Sequence, residues 1–411
     1  MPLQLSVFFQ KYLYLFSAFI FLLLSPFSHT RVGTWFCLIV SFLVIIKRAD
    51  WHQLKKIPWV VSAIMLWALL SLLSISWSAY PDITSSALRN EVFFSVLAFI
   101  VFFFLSQNHR AWHFFIVSIF ISILLTFCVT LFNYGNVDPT RWSMLHDYGF
   151  YGSFLSIASA LVIIPLLGQV FPLSKIVGVV IIAGIIFFGY DNNSRMAILG
   201  FGLVTLFYSI LYLYRRQQFS LVKTAIIIVL SLTIAGMFGI KGIKNKLPEP
   251  DMSWKEIATY YSHDEPRVKI WRYWVTKIIE KPEGTGYGWK VAPKHYFRSG
   301  KYEVPDWQHN ALMYSHTHNL ILDYGVQLGY LGIVIILFLF GTIFLTFWRF
   351  YINNSSQIIA PLAGMGVTLL IFMKNQTDMF WVGHHIVYFF AIIGMILGYC
   401  VHEFEQLDSN D

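Results

Sequence analysis

The sequence predicts an all-α, polytopic integral membrane protein. Of the 411 residues, 57% are hydrophobic and only 12% are charged, whereas soluble proteins carry about 25% charged residues. Apolar runs follow one another along most of the chain. Lipid cannot satisfy backbone polar groups, so such runs must be helical. The net charge of +8 is then explained by basic loops rather than by nucleic-acid binding.

Twelve runs are long and apolar enough to be transmembrane helices, which need about 20 residues to cross a bilayer. They are residues 11–28, 32–47, 58–77, 92–107, 113–132, 149–170, 174–190, 196–214, 220–240, 329–349, 357–374 and 385–402. The first run lacks a convincing basic region and cleavage site, and a second span follows at once. It is therefore interpreted as an uncleaved helix rather than a signal peptide.

The basic residues of the short loops predict the orientation of these spans. They follow the even-numbered spans, at Lys47, Arg48, Lys55, Lys56, His109, Arg110, Arg215, Arg216 and Arg349. Cytoplasmic loops carry an excess of Lys and Arg. Both termini are therefore expected in the cytoplasm, and the loops after odd-numbered spans, including residues 79–91, are expected to face outward.

Four regions are predicted from this layout. Residues 1–240 hold spans 1 to 9, residues 241–315 form one large outward loop, residues 316–402 hold a histidine-containing segment and spans 10 to 12, and residues 403–411 form a tail. Short amphipathic helices are expected in the loop. In "RVKIWRYWVTKIIEK" the apolar stripe is Val268, Trp271, Val275 and Ile278, and "KPEGTGYGW" then ends the helical pattern.

The segment "SHTHNLILDYG" places two histidines at a predicted membrane boundary, where titratable groups are costly. On a continuous helix, His318 shares one face with Gly325, Gly329 and Gly332, whereas His316 points away. Gly325 and Gly329 form a G-x-x-x-G pattern that permits close helix approach. A neutral imidazole near a helix N-terminus suits a general base.

Other interpretations of this segment stay open. Asn319 or Thr317 could cap the helix, and His318 could be an interfacial histidine with satisfied hydrogen bonds. A metal site is disfavoured, because the histidines match no recognised ligand spacing.

Two arginines are candidates for binding an anion. Arg195 begins a predicted span on its outward side, and Arg267 opens the amphipathic helix of the large loop. A guanidinium is always charged and can grip phosphate through two hydrogen bonds. Snorkelling would explain Arg195 and an exposed helix face would explain Arg267. Arg89 and Arg141, in other outward loops, are weaker candidates.

The sequence contains no P-loop and no dinucleotide-binding fingerprint. An outward-facing transferase without nucleotides must use an activated donor, and a lipid pyrophosphate would be one.

Three local patterns resemble those of the O-antigen ligase family, within the O-antigen ligase/polymerase superfamily. The first is R-x-x-x-L, from Arg195 to Leu199. The second joins Arg267 and Trp271 to a P-x-G-x-G-type segment that begins at Pro282. The third is H-[NSQ]-x9-G-x-x-G, from His318 and Asn319 to Gly332, with Ile333 where Thr or Val often follows. In layout, the resemblance covers nearly the whole chain.

The resemblance implies a GT-C-like fold and a glycosyltransferase in the bacterial inner membrane, with its active site facing the periplasm. The donor would be a polysaccharide on undecaprenyl pyrophosphate and the acceptor a sugar hydroxyl of lipid A–core, in lipopolysaccharide biosynthesis. The reaction would be inverting and would use no metal or cofactor. His318, Arg267 and Arg195 would be catalytic. Substrate binding would involve both arginines and Asn319, Arg141, Arg89, Trp271 and His316.

Three alternative functions remain. An O-antigen polymerase would extend the donor glycan, and a protein O-oligosaccharyltransferase would move it to a protein. A lipid-linked glycan transporter, from a different class, would also need many spans and buried arginines. It would not need a large structured loop followed by a histidine motif.

Overall fold

A computed structural model describes residues 15–27, 30–132, 148–167, 174–191, 195–215, 253, 255–256, 266–298, 317–353, 358–376 and 381–408. Most residues of these ranges are helical, turns and a loop at 281–290 connect the helices, and no β-strand occurs in them. The helices are α1 (Leu15–Leu24), α2 (Arg31–Ile45), α3 (Pro58–Leu73), α4 (Pro81–Leu105), α5 (His109–Phe132), α6 (Tyr148–Leu161), α7 (Ile163–Leu167), α8 (Ser174–Asp191), α9 (Arg195–Arg215), α10 (Pro266–Glu280), α11 (Leu320–Asn353), α12 (Ile359–Lys374) and α13 (His384–Asp408).

The all-α, multi-pass prediction is confirmed at this level. Every predicted span contains part of one of these helices, except residues 220–240, which lie outside the described ranges. Within the described ranges, five helices are long and apolar enough to cross a membrane, at Pro58–Trp77, Pro81–Leu105, His109–Leu131, Leu320–Asn353 and His384–Gln406. The total of twelve spans, the large outer loop, the division into regions and the orientation remain predictions.

The expected loop at residues 79–91 is wrong, because α4 already begins at Pro81. Proline at the first position of a helix loses no hydrogen bond and has the helical φ value. The polar residues that suggested a loop lie on one exposed side of α4, at Asp82, Ser85, Ser86 and Arg89. Residues Leu88–Phe93 form a π-helical segment, a distortion often found at functional sites.

The core of the bundle is built where α13 packs along α4. A side chain on Gly394 or Gly398 would overlap the carbonyl oxygen of Phe99 or Phe103. These glycines form a G-x-x-x-G pattern, which allows two helix backbones to approach closely. Sequence analysis assigned that role only to Gly325 and Gly329 and missed this pair.

Helix α11 is not continuous, so the expectation of one glycine face running from His318 is wrong. Gly329 has φ 68° and ψ −159° and interrupts the helix, and His318 lies before its first residue, Leu320. The break divides α11 into a short first part and a long second part that begins at Tyr330. It falls where the sequence predicted span 10 to begin.

Candidate functional site

His318 lies immediately before the capped N-terminus of α11. The side chain of Asn319 accepts a hydrogen bond from the backbone N–H of Leu322 at 3.0 Å, as expected of an N-cap residue. The predicted capping role of Asn319 is thus confirmed. Its side-chain amide also donates to the backbone oxygen of Gln376 at 3.0 Å, so this side chain is largely occupied by structural bonds.

The histidine segment is also anchored to the end of α12. The backbone N–H of Leu320 donates to the backbone oxygen of Asn375 at 2.7 Å. His318 itself is half-buried and has φ 52°. Within the described residues it is the only non-glycine with positive φ. Such conformations cost about 1–3 kcal/mol and persist when neighbouring contacts impose them.

The break in α11 is filled by the loop that follows α10, which we call the glycine loop (residues 282–288). In an uninterrupted helix, the carbonyl of Val326 would accept from the N–H of Tyr330. Here Val326 accepts from Thr285 N–H at 2.9 Å, and Tyr330 N–H donates to Pro282 at 3.1 Å. Gln327 similarly accepts from Gly286 N–H at 2.9 Å. The backbone groups released by the break are therefore satisfied by the loop.

This docking explains the glycines that the sequence placed in one motif. Gly284 and Gly286 have φ values of 82° and 108°, which other residues rarely adopt. A side chain on Gly284 would also overlap the backbone of Gln327, and one on Gly286 would overlap Ser78. The second and third sequence motifs therefore pack directly against each other.

A buried polar network lies beneath the histidine segment. The Gln327 side chain accepts from Gly288 N–H at 2.6 Å and donates to the carboxyl of Asp323. The Thr317 side chain also lies beside that carboxyl. Asp323 is 4% exposed. The network thus joins residues on both sides of His318 to the glycine loop.

Glu91 of the π-helical segment is a second buried carboxyl, 6% exposed. It accepts from Gly383 N–H at 3.0 Å and lies within electrostatic range of Asp323 and Lys290. Sequence analysis did not select Glu91 or Asp323. A carboxyl among apolar residues at a predicted membrane boundary is itself a signal of function, and this signal could have identified Asp323. Glu91 ends the polar stretch of residues 85–91, where no such signal was present.

Helix α10 lies alongside the first part of α11 and runs in the same direction. Ile278 contacts Gly325, and Pro282 follows it against Gly329. The buried face of α10 is Ile270, Trp274 and Ile278. The predicted stripe is confirmed at Ile278 and in part at Trp271, which packs against this cluster. It is wrong at Val275, because tertiary packing turns this residue outward, where it is 42% exposed.

The predicted residues Arg267 and Trp271 lie on the first turns of α10, at the end nearer His318. Both side chains are half-buried. The indole N–H of Trp271 is buried and has no hydrogen-bond partner within the described residues. Buried donors are nearly always satisfied, so this N–H is available to a ligand.

Arg195 is the first residue of α9, and its side chain is not described. The other end of α9 lies near the end of α11, because Arg215 donates to the backbone oxygen of Ile352 at 3.1 Å. Gly200 contacts Leu370 on the last turns of α12. Arg195 therefore begins its helix at the same end of the bundle as His318.

The other predicted site residues are Arg89, Arg141 and His316. Arg89 is exposed and its guanidinium donates to the side chain of Asn90 at 3.4 Å. Arg141 and His316 lie outside the described residues. Where side chains are described, no group of three or more His, Cys, Asp or Glu is arranged to hold a metal ion.

The three motifs lie inside a region that matches a known family. Residues 177–337 match the O-antigen ligase family model. The resemblance predicted from the sequence is thus confirmed from residue 177 in α8 to residue 337 in the second part of α11. It shows that this part of the chain is similar to O-antigen ligases.

A curated relative points the same way. Over 148 residues, the chain is 28% identical to a Rickettsia conorii protein provisionally named a polysaccharide ligase. The aligned segment covers 36% of this chain and 33% of that protein.

Proposed function

We propose that this protein is an O-antigen ligase of the bacterial inner membrane. It transfers a polysaccharide from undecaprenyl pyrophosphate to a sugar hydroxyl of lipid A–core at the periplasmic face. The observation that carries the proposal is the docking of the glycine loop into the break of α11, next to the histidine segment. This docking joins two of the three O-antigen ligase motifs in one structural unit.

In the proposed reaction, the imidazole of His318 takes the proton of the acceptor hydroxyl. The acceptor oxygen attacks the anomeric carbon of the donor sugar, and the bond from that carbon to the pyrophosphate oxygen breaks. The electron pair leaves with the pyrophosphate. Attack opposite the leaving group inverts the anomeric carbon. Half-burial and the fixed backbone of His318 favour this role, since a general base must be held within hydrogen-bond reach of its substrate.

The two arginines stabilise the leaving group in this proposal. Arg267 is the second residue of α10 and Arg195 is the first of α9, and a guanidinium can hold the charge that develops on a departing phosphate. Helix N-termini themselves favour anions. The indole N–H of Trp271 offers a further hydrogen bond to a sugar hydroxyl, and its ring offers a stacking surface.

The Asp323–Gln327 network holds this arrangement together. It connects Thr317, before the histidine, to Gly288 in the glycine loop. Buried carboxyls that bond to backbone and amide groups fix geometry more than they bind substrate. We therefore assign Asp323 and Gln327 a positioning role.

Complementation of a strain that lacks the protein tests this function. The deletion is expected to leave lipid A–core bare and long glycan chains on the carrier lipid. His318→Ala and Arg267→Ala should fail to restore capped lipopolysaccharide, by at least about 100-fold, although the variants remain in the membrane. Arg272→Ala is the matched control on α10, because Arg272 is exposed, and it should restore most of the activity.

Other banding patterns would change the assignment. Single repeats on core would indicate a polymerase, and unchanged lipopolysaccharide with lost glycoprotein would indicate transfer to protein. Full activity of His318→Ala would contradict the base mechanism. His316→Ala should have the milder effect, and equal loss at both histidines would favour a paired role. Activity is expected to persist in EDTA, whereas a loss reversed by zinc would favour a metal site.

A further inference from the structure

A cavity of about 410 Å³ lies between α3, α11 and α13 at the end of the bundle opposite His318. The position of the cavity follows from α11 and α3, each of which runs from one end of the bundle to the other. Helix α11 begins beside His318 and ends at Asn353. Helix α3 begins at Pro58, beside the cavity, and is followed by Ser74, whose hydroxyl accepts from Tyr287 N–H at 3.0 Å beside the glycine loop. The cavity is thus separate from the proposed catalytic site.

The lining combines two cations with apolar walls. Its members include Lys56, Trp59, Phe338, Leu345, Arg349 and Phe404. Along α11, the lining extends from Phe338 to Asn353, and Arg349 lies about 16 Å of helix from Phe338. A charged head at one end and a long apolar channel at the other match a phospholipid in both chemistry and length.

Arg349 is better placed than Lys56 to bind an anion. Among the described residues, no acidic side chain lies within ion-pair distance of Arg349. Lys56 shares its charge with Glu405 at 3.5 Å, where both side chains are well exposed. An exposed ion pair of this kind is weak, so Lys56 can still contribute to binding an anion.

The cavity opens sideways onto a surface suited to lipid. Trp59 and Leu345, which line it, are 66% and 63% exposed. Tryptophan is enriched where a membrane meets water, and basic pockets between transmembrane helices bind anionic lipid headgroups. A free anion would gain nothing from the apolar channel.

We propose that this cavity, formed by α3, α11 and α13, binds one anionic phospholipid. Its phosphate contacts Arg349 and Lys56, and one acyl chain lies along α11 toward Phe338. This binding is independent of the proposed transferase reaction and can be measured without any activity assay.

Native mass spectrometry of the full chain in detergent tests the proposal. The probe is dioleoylphosphatidylglycerol, compared with dioleoylphosphatidylcholine and with glycerol phosphate. The double variant Arg349→Gln/Lys56→Gln should raise the dissociation constant for phosphatidylglycerol about tenfold. The matched control Lys55→Gln/Arg110→Gln removes two exposed cations from the same end, outside the cavity lining, and should change it less than about twofold.

A third variant tests the role of the apolar channel separately from the role of the two cations. Thr346→Trp fills the cavity and keeps both cations, so it should also weaken phosphatidylglycerol binding. The proposal is overturned if the control loses as much affinity as the test variant, or if phosphatidylcholine binds equally well. Displacement of the lipid by equimolar glycerol phosphate would also overturn it. So would a change only in the monomer–dimer ratio, which would indicate a second copy as the occupant.

Discussion

The two parts of α11 have opposite surroundings although they belong to one helix. The first part, up to Leu328, is buried against α10, the glycine loop and the Asp323 network. The second part exposes a row of large apolar residues, at Tyr330, Leu331, Val334, Leu337 and Leu345. Among the described residues, the first part is the one packed against buried carboxyl and amide side chains. The second is built to face lipid and ends at a basic cavity.

The boundary between the two parts is Gly329. At this residue the helix gives up its own hydrogen bonds and accepts those of the glycine loop. Irregular backbone at membrane depth is tolerated only where protein or a cavity surrounds it. Gly329 thus connects a helical segment that packs against a buried polar network to a helix that faces lipid. Each of the two parts can be tested separately.

The largest effect is expected from Gly329→Val. Its φ of 68° is unfavourable for a β-branched residue, and the new side chain would overlap the carbonyl of Pro282. The loop must then leave the break, at a cost of about 3–5 kcal/mol in unfolding free energy. Thermal unfolding of the full chain in detergent measures this, and chemical probing of the glycine loop shows whether it has detached.

Gly341→Ala is the matched control in the second part of α11. A side chain at this position would meet nothing within 4 Å, and alanine favours a helix over glycine by about 1 kcal/mol. The variant should unfold at the same or a slightly higher temperature. Equal destabilisation by both variants would show that the break has no special role.

A smaller effect is expected from Gln327→Leu. The substitution leaves Gly288 N–H without its partner and removes one of the two side-chain partners of the Asp323 carboxyl, and a buried unsatisfied group costs about 1–3 kcal/mol. We expect a loss of about 2–3 kcal/mol in thermal unfolding. Gln406→Leu removes an exposed hydrogen bond to His402 and should change stability by less than about 0.5 kcal/mol. Equal values for the two would argue against the network.

The smallest effect is expected at His318 and has an unusual sign. Because φ is 52°, His318→Gly should be more stable than His318→Ala by about 1 kcal/mol. Glycine is normally the less stable of the two in a helix. Unfolding temperatures of the two variants decide the point, and both should lack transfer activity if His318 is the base. A more stable alanine variant would contradict the positive φ.

Sequence reasoning predicted the helices well and their contacts less well. Long apolar runs are a direct signal of burial in lipid, so every predicted span within the described ranges contains part of a helix. The prediction of a loop at residues 79–91 failed, because polar residues on one side of a helix resemble those of a loop. The error at Val275 on α10 has a related cause, since periodicity alone does not say which side of a helix contacts a neighbour.

The candidate site likewise contains residues that local sequence predicted and residues that only tertiary contacts reveal. Spacing identified His318 and the capping residue Asn319, because these depend on local sequence. It also supplied the family resemblance that residues 177–337 confirm. Glu91 and Asp323 were not selected, because their importance comes from burial beside residues distant in the chain.

The sequence by itself determined the all-α membrane architecture, the family resemblance and the residues proposed for catalysis. The length of an apolar run and the spacing of a motif are local properties of the sequence. A long apolar run must be helical in lipid, because its backbone polar groups have no other partners. Only the tertiary structure decided that α11 breaks at Gly329, that the glycine loop fills this break, and that two buried carboxyls lie near His318. Those features depend on hydrogen bonds between segments about 40 or more residues apart, for which neighbouring residues carry no signal.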